Sequence, residues 1–85
     1  MKTFIFFYFM NEMKNDAIAE RAPDHTAYWQ NQNLPNYKGG PFSDFSGGLI
    51  SFHAENQNKA ESLVSEDPFV LKELLKTMWI KEWII

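Results

Sequence analysis

Eighty-five residues leave room for one domain, residues 1–85, and area scaling lets about 64% of the unfolded chain's surface be buried. The absence of cysteine excludes disulfide staples, thiolate metal sites and cysteine nucleophiles, and two histidines are too few for an ordinary closed zinc site, so no metal is expected. A hydrophobic content of 45% with 16% aromatics argues for a folded core, and a net charge of −3 with a single arginine argues against nucleic-acid binding.

The apolar run Thr3 to Met10, TFIFFYFM, is far shorter than the roughly 20 residues of a membrane-spanning helix. Lys2 and Ala17-Ile18-Ala19 resemble a leader's basic start and cleavage site. However, Asn11, Glu12, Lys14 and Asp16 make the stretch between them polar, and cleavage would discard the strongest strand. The run is read as a retained, buried first strand, and the protein as cytoplasmic with no membrane partner.

Asn11 to Arg21 reads as a polar connection. Pro23-Asp24 marks a helix start, with Asp24 as the cap, and the helix runs from about His25 to Asn33 before Leu34-Pro35. His25, Tyr28, Trp29 and Gln32 share one face of it. Tyr37 to Phe42 is a short run broken by Gly39-Gly40-Pro41, Gly47-Gly48 marks a second turn, Leu49 to Ala54 is an alternating strand, and the two segments about Ser43 to Ser46 form a hairpin. Asn56 caps a helix from about Gln57 to Glu66 with the apolar stripe Ala60, Leu63, Val64. Asp67-Pro68 starts a helical segment, Phe69 to Lys76, and Met78 to Ile85 is a last strand.

The order β-α-β-β-α-β predicts a ferredoxin-like α+β domain, with helices on one face of an antiparallel sheet. The aromatic first and last strands predict that a second subunit covers the other face, making a homodimer.

Arg21, His25 and Tyr28, the turn Gly40-Pro41-Phe42 with Asp44 after it, Gly48, the helix around Ala60, Asp67-Pro68-Phe69-Val70 and Ile80-Lys81-Glu82-Trp83 occur in an order that resembles the YciI-like (YCII-related) family of small dimeric α+β proteins. The resemblance implies a dimeric α+β barrel and a cleft holding a histidine and an aspartate. Some relatives resemble dehalogenases acting on lactones from chloroaromatic breakdown.

His25 is the candidate acid–base residue. An imidazole can take and return a proton near neutral pH, and a position near a helix start would favour its neutral form. Its carboxylate partner is Asp67, which can also cap a helix, or Asp44, which can instead bond its own turn. Arg21 either clamps a substrate carboxylate or pairs with Asp24 or Glu20. Tyr28, Trp29 and Phe42 either line an apolar ligand pocket or fill the core, and His53 is a face-filling strand residue. No P-loop or nucleophile elbow is present.

Two functions follow. One is a homodimeric enzyme-like protein using His25 and a carboxylate for cofactor-free acid–base chemistry on a small organic acid or lactone. The other is a non-catalytic dimeric module that binds a small molecule or a partner. They separate on whether His25 is reachable from a pocket and hydrogen-bonded to Asp67 or Asp44.

Overall fold

In the computed structural model, which describes all 85 residues, the architecture is built outward from the first strand, β1 (Lys2–Met10). Its alternation is that of a pleated strand: Phe4, Phe6 and Tyr8 are buried on one face, while Ile5, Phe7 and Phe9 point to the other. β1 pairs antiparallel with β3 (Gly47–Ala54) on one side and β4 (Leu75–Glu82) on the other. β2 (Lys38–Pro41) pairs antiparallel with β3, giving the order β2-β3-β1-β4. This is the ferredoxin-like α+β fold expected from the element order.

Three helices cover one face: α1 (Asn15–Asn31), α2 (Gln57–Ser65) and the single turn α3 (Pro68–Leu71). Trp29, Ala60, Val64 and Phe69 from these helices pack on Phe4, Phe6, Tyr8, Ile50 and Phe52 to form the core. Two of the three expected caps are present. Asn56 Oδ1 accepts from the Lys59 N–H at 2.9 Å, and Asp67 Oδ1 accepts from the Phe69 N–H at 2.8 Å.

Two helical segments differ from the sequence reading. α1 starts at Asn15 and runs through Pro23, so Asp24 is not a cap and His25 lies in the second half of the helix. An interior proline costs about 3 kcal/mol. Pro23 is exposed, and Ala17, Ile18 and Ala22 around it pack against the core and hold the helix together. The helix-start argument for a neutral His25 therefore does not apply. In the second case the segment after Pro68 makes one turn only, because Glu73 adopts a left-handed conformation (φ 54°) and the Leu74 N–H donates back to the Phe69 carbonyl. β4 consequently begins three residues before the expected Met78.

The hairpin turn falls at Ser43 to Ser46, as expected, with Phe45 left-handed and the Asp44 carboxylate accepting from the Ser46 N–H at 2.9 Å. Gly47 and Gly48, expected to mark a second turn, are instead the first residues of β3. Gly48 lies opposite Tyr8, where a Cβ would sit 2.5 Å from the tyrosine oxygen.

The second face of the sheet has no helix over it. Phe7 stacks on Trp79 at 5.1 Å between ring centroids, and Phe9 packs against both Trp79 and Phe42. Trp79 is 41% exposed and Trp83 48%. No helix is long and apolar enough to cross a membrane.

The close pairing of β1 and β3 gives a sharp expectation. A Cβ on Gly47 would lie 1.8 Å from the Tyr8 carbonyl oxygen, whereas one on Gly40 meets nothing within 4 Å. Gly47→Ala should therefore lose about 1–3 kcal/mol or more in urea unfolding. Gly40→Ala should stay within about 0.5 kcal/mol of wild type.

Candidate active site

Asp67 is fully buried at the N-terminus of α3, with no exposed surface. A carboxylate in such a place needs a donor for nearly every lone pair, or it costs several kcal/mol. It finds three. The Phe69 N–H donates to Oδ1 at 2.8 Å, and the Trp29 indole Nε1–H donates to Oδ2 at 2.7 Å. His25 Nδ1–H lies 2.9 Å from Oδ1 and 2.8 Å from Oδ2. No buried side-chain polar atom of the protein is left without a partner.

His25 and Trp29 are one helical turn apart on α1, so a single helix face brings both donors to the same carboxylate. The His25 ring lies flat on Phe69, with centroids 4.1 Å apart and planes 10° from parallel. With Nδ1–H donated to Asp67, Nε2 presents its lone pair, and the Tyr8 hydroxyl donates to it across 3.2 Å. Burial, and then the charge of Asp67, push the Tyr8 phenol well above its ordinary range, so it keeps its proton.

His25 and Tyr8 both line a cavity of about 980 Å³, and the His25 side chain is 12% exposed. Helix α1, the β2–β3 hairpin and α3 form its walls. Thr26, Gln30 and Tyr37 add uncharged hydrogen-bonding groups, while Ile18, Phe45 and Phe69 add apolar ones. Its charged lining residues are Glu12 and Asp44, and no lysine or arginine reaches it. No three His, Asp or Glu side chains converge at metal-ligating distance.

The candidates from the sequence separate cleanly. His25 and Asp67 are brought together. Asp44 lines the cavity, but its carboxylate bonds its own turn, and hydrogen bonds from Ser46 hold it below the usual carboxylate range. Arg21 lies on the outside of α1, 3.5 Å from Asp24, and does not line the cavity. Trp29 is wholly buried and holds Asp67 from behind. Tyr28 donates its hydroxyl to the Leu63 carbonyl, and Phe42 packs on Phe9, on the opposite face of the sheet. Neither lines the cavity. His53 lies 3.4 Å from Asn36, away from the cavity.

Tyr8 and Phe69 are the contacts that sequence reasoning missed. Tyr8 carried a signal, being the one residue with a polar end in the inward series Phe4, Phe6, Tyr8.

Asp67 does more than cap. Asn and Ser are good caps, so either would be nearly neutral if capping were the whole role. The amide of Asp67→Asn instead turns an N–H₂ toward donors that need an acceptor. It should cost about 2–4 kcal/mol in urea unfolding. A neutral Asp67→Asn would show that the His25 and Trp29 bonds contribute nothing to stability.

No protein-family model matches the chain, and no curated protein matches its sequence. Solved structures do match its fold. The 5-chloro-2-hydroxyhydroquinone dehydrochlorinase TftG of Burkholderia phenoliruptrix AC1100, in complex with 2,5-dihydroxybenzoquinone, superposes with a TM-score of 0.84 at 20% identity. The match covers 96% of this chain and 93% of that one. An antibiotic biosynthesis monooxygenase gives 0.65 at 6% identity, over 100% and 98% of the two chains. Rv0793 of Mycobacterium tuberculosis gives 0.53 at 10% identity, over 98% and 92%. At these identities the likeness establishes the fold alone, a ferredoxin-like α+β unit.

Proposed function

We propose that the chain is a YciI-like homodimer that catalyses cofactor-free acid–base chemistry on a small ring compound, with His25 as the base and Asp67 as the group that orients and charges it. The observation that carries this reading is the hydrogen-bond pair. Both oxygens of a fully buried Asp67 lie within 2.9 Å of His25 Nδ1, while the same imidazole lines a cavity. A carboxylate behind Nδ1 selects the tautomer with a basic Nε2 and stabilises the imidazolium formed on proton uptake.

Charge narrows the substrate. A carboxylate ligand would enter a cavity whose charged residues are Glu12 and Asp44, with Asp67 behind, and would meet no lysine or arginine. This favours an uncharged ring bearing hydroxyl or carbonyl groups, such as a lactone or a hydroxylated arene, over an organic acid. The dehydrochlorinase of the same fold supplies a first compound to assay. Loss of HCl from 5-chloro-2-hydroxyhydroquinone to a hydroxyquinone removes one hydroxyl proton to a base, moves a second hydroxyl proton onto the ring carbon that carries chlorine, and releases chloride from that carbon, so it needs no external oxidant.

His25→Gln, whose amide can still donate to Asp67, should lower turnover of a ring substrate by about 10²–10⁴-fold, and His25→Ala by the same order wherever circular dichroism shows it folded, measured as chloride release from a panel of chlorinated hydroxyarenes and lactones. His53→Ala, altered outside the cavity, is the control. A substrate turned over at the wild-type rate by His25→Ala would remove His25 as the base, and a ligand that binds the cavity without turnover by wild type would replace this reading with a non-catalytic binding module.

The dimer rests on the uncovered aromatic face around Phe7, Phe9 and Trp79, which a second copy packing sheet to sheet would cover. Sedimentation at micromolar concentration should give a mass near twice 10.0 kDa, and Trp79→Lys should shift it toward one chain. A monomeric wild type would remove the dimer from the proposal.

A further inference from the structure

With Nδ1–H donated to Asp67, His25 has one basic lone pair, on Nε2. That lone pair is already covered, because the Tyr8 hydroxyl donates to it at 3.2 Å. Phe69 covers one flat face of the ring at 4.1 Å. A ligand in the cavity therefore meets the hydrogen-bonded chain Asp67–His25–Tyr8 at its last two members, both of which line the cavity, with Nε2 already engaged by the phenol. Tyr8 Oη makes no hydrogen bond except the one to His25, and the residue lines the cavity, so the phenol oxygen keeps acceptor capacity for a ligand there.

Its placement is built into the sheet. Gly48 stands directly across from Tyr8, and any side chain there would begin 2.5 Å from Oη. The missing Cβ is what lets the tyrosine oxygen lie between β3 and the histidine.

We propose that Tyr8 is a catalytic residue: it takes the substrate's acidic proton and at the same moment passes its own to His25. This rests on the acid–base reading above. The substrate X–H bond breaks and its electron pair stays on X. The proton forms a new O–H bond on Tyr8, the former Tyr8 O–H bond breaks, and that proton forms the Nε2–H of an imidazolium held against Asp67. Tyr8 ends as it began, a neutral phenol. This suits its surroundings, since burial and the Asp67 charge oppose a standing phenolate. The arrangement selects ligands that present a hydroxyl or another acidic hydrogen to Tyr8 Oη.

The test uses 1,4-hydroquinone and 1,4-dimethoxybenzene, a pair differing in the hydroxyl proton, titrated by NMR into wild type, Tyr8→Phe and His25→Gln. The glutamine amide can still donate to Asp67, and each variant is checked for its fold by circular dichroism. Tyr8→Phe should bind hydroquinone about tenfold more weakly and leave dimethoxybenzene unchanged, as expected for one lost hydrogen bond.

Equal hydroquinone affinity in wild type and Tyr8→Phe, with a loss in His25→Gln, overturns the relay and leaves His25 as the direct base. Hydroquinone affinity unchanged in both variants, or no binding to wild type, overturns the relay and the acid–base reading together.

Discussion

The buried carboxylate of Asp67 is the constraint around which the helical layer is arranged. Removing such a charge from water costs several kcal/mol unless donors replace the lost hydration. Its donors come from two elements: the first turn of α3, through the Phe69 N–H, and α1, through His25 and Trp29. Satisfying one acid therefore fixes the position of α3 against α1 and the rotation of α1 about its axis. The same bonds set the tautomer of His25 and aim Nε2 at Tyr8. Stability and candidate chemistry share the same atoms here, so a change at Asp67 acts on both.

The sheet divides its two faces between different tasks. On the helical face, Phe4 and Phe6 pack the core, and Tyr8, the third inward residue of β1, carries a hydroxyl into the cavity. On the other face Phe7, Phe9 and Trp79 form an aromatic surface. The alternation of a single strand thus separates a polar-ended site from an apolar surface. The acidic cavity and the aromatic face lie on opposite sides of a sheet one strand thick, so neither intrudes on the other.

Much of this was legible in the residues, for physical reasons that differ from one element to the next. The alternation of TFIFFYFM and of LISFHA specifies strands with one buried face, and Asn56 and Asp67 declare helix starts because a side-chain oxygen can satisfy an exposed N–H. His25 and Asp67 stood out because few residues in the chain can do acid–base work. The start of α1 was not legible. Pro23-Asp24 has the chemistry of a helix start, and only tertiary packing of Ala17, Ile18 and Ala22 carries the helix through it. The left-handed turn at Glu73 has no glycine to announce it. Tyr8 was hidden for another reason. Its role depends on facing Gly48 across β3 and His25 across the layer, which is a matter of register and packing rather than of local pattern. Tyr28 and Phe42 were drawn toward the site by their neighbours in sequence, yet the fold sends them elsewhere.

The most direct measurement of the account is nitrogen-15 NMR of the His25 ring at a pH where the ring is neutral. The chain Asp67–His25–Tyr8 predicts a proton on Nδ1 and a bare, hydrogen-bonded Nε2 whose resonance moves toward that of a free imidazole nitrogen when Tyr8 is replaced by phenylalanine. A ring with its proton on Nε2, or an Nε2 resonance indifferent to Tyr8→Phe, would contradict it.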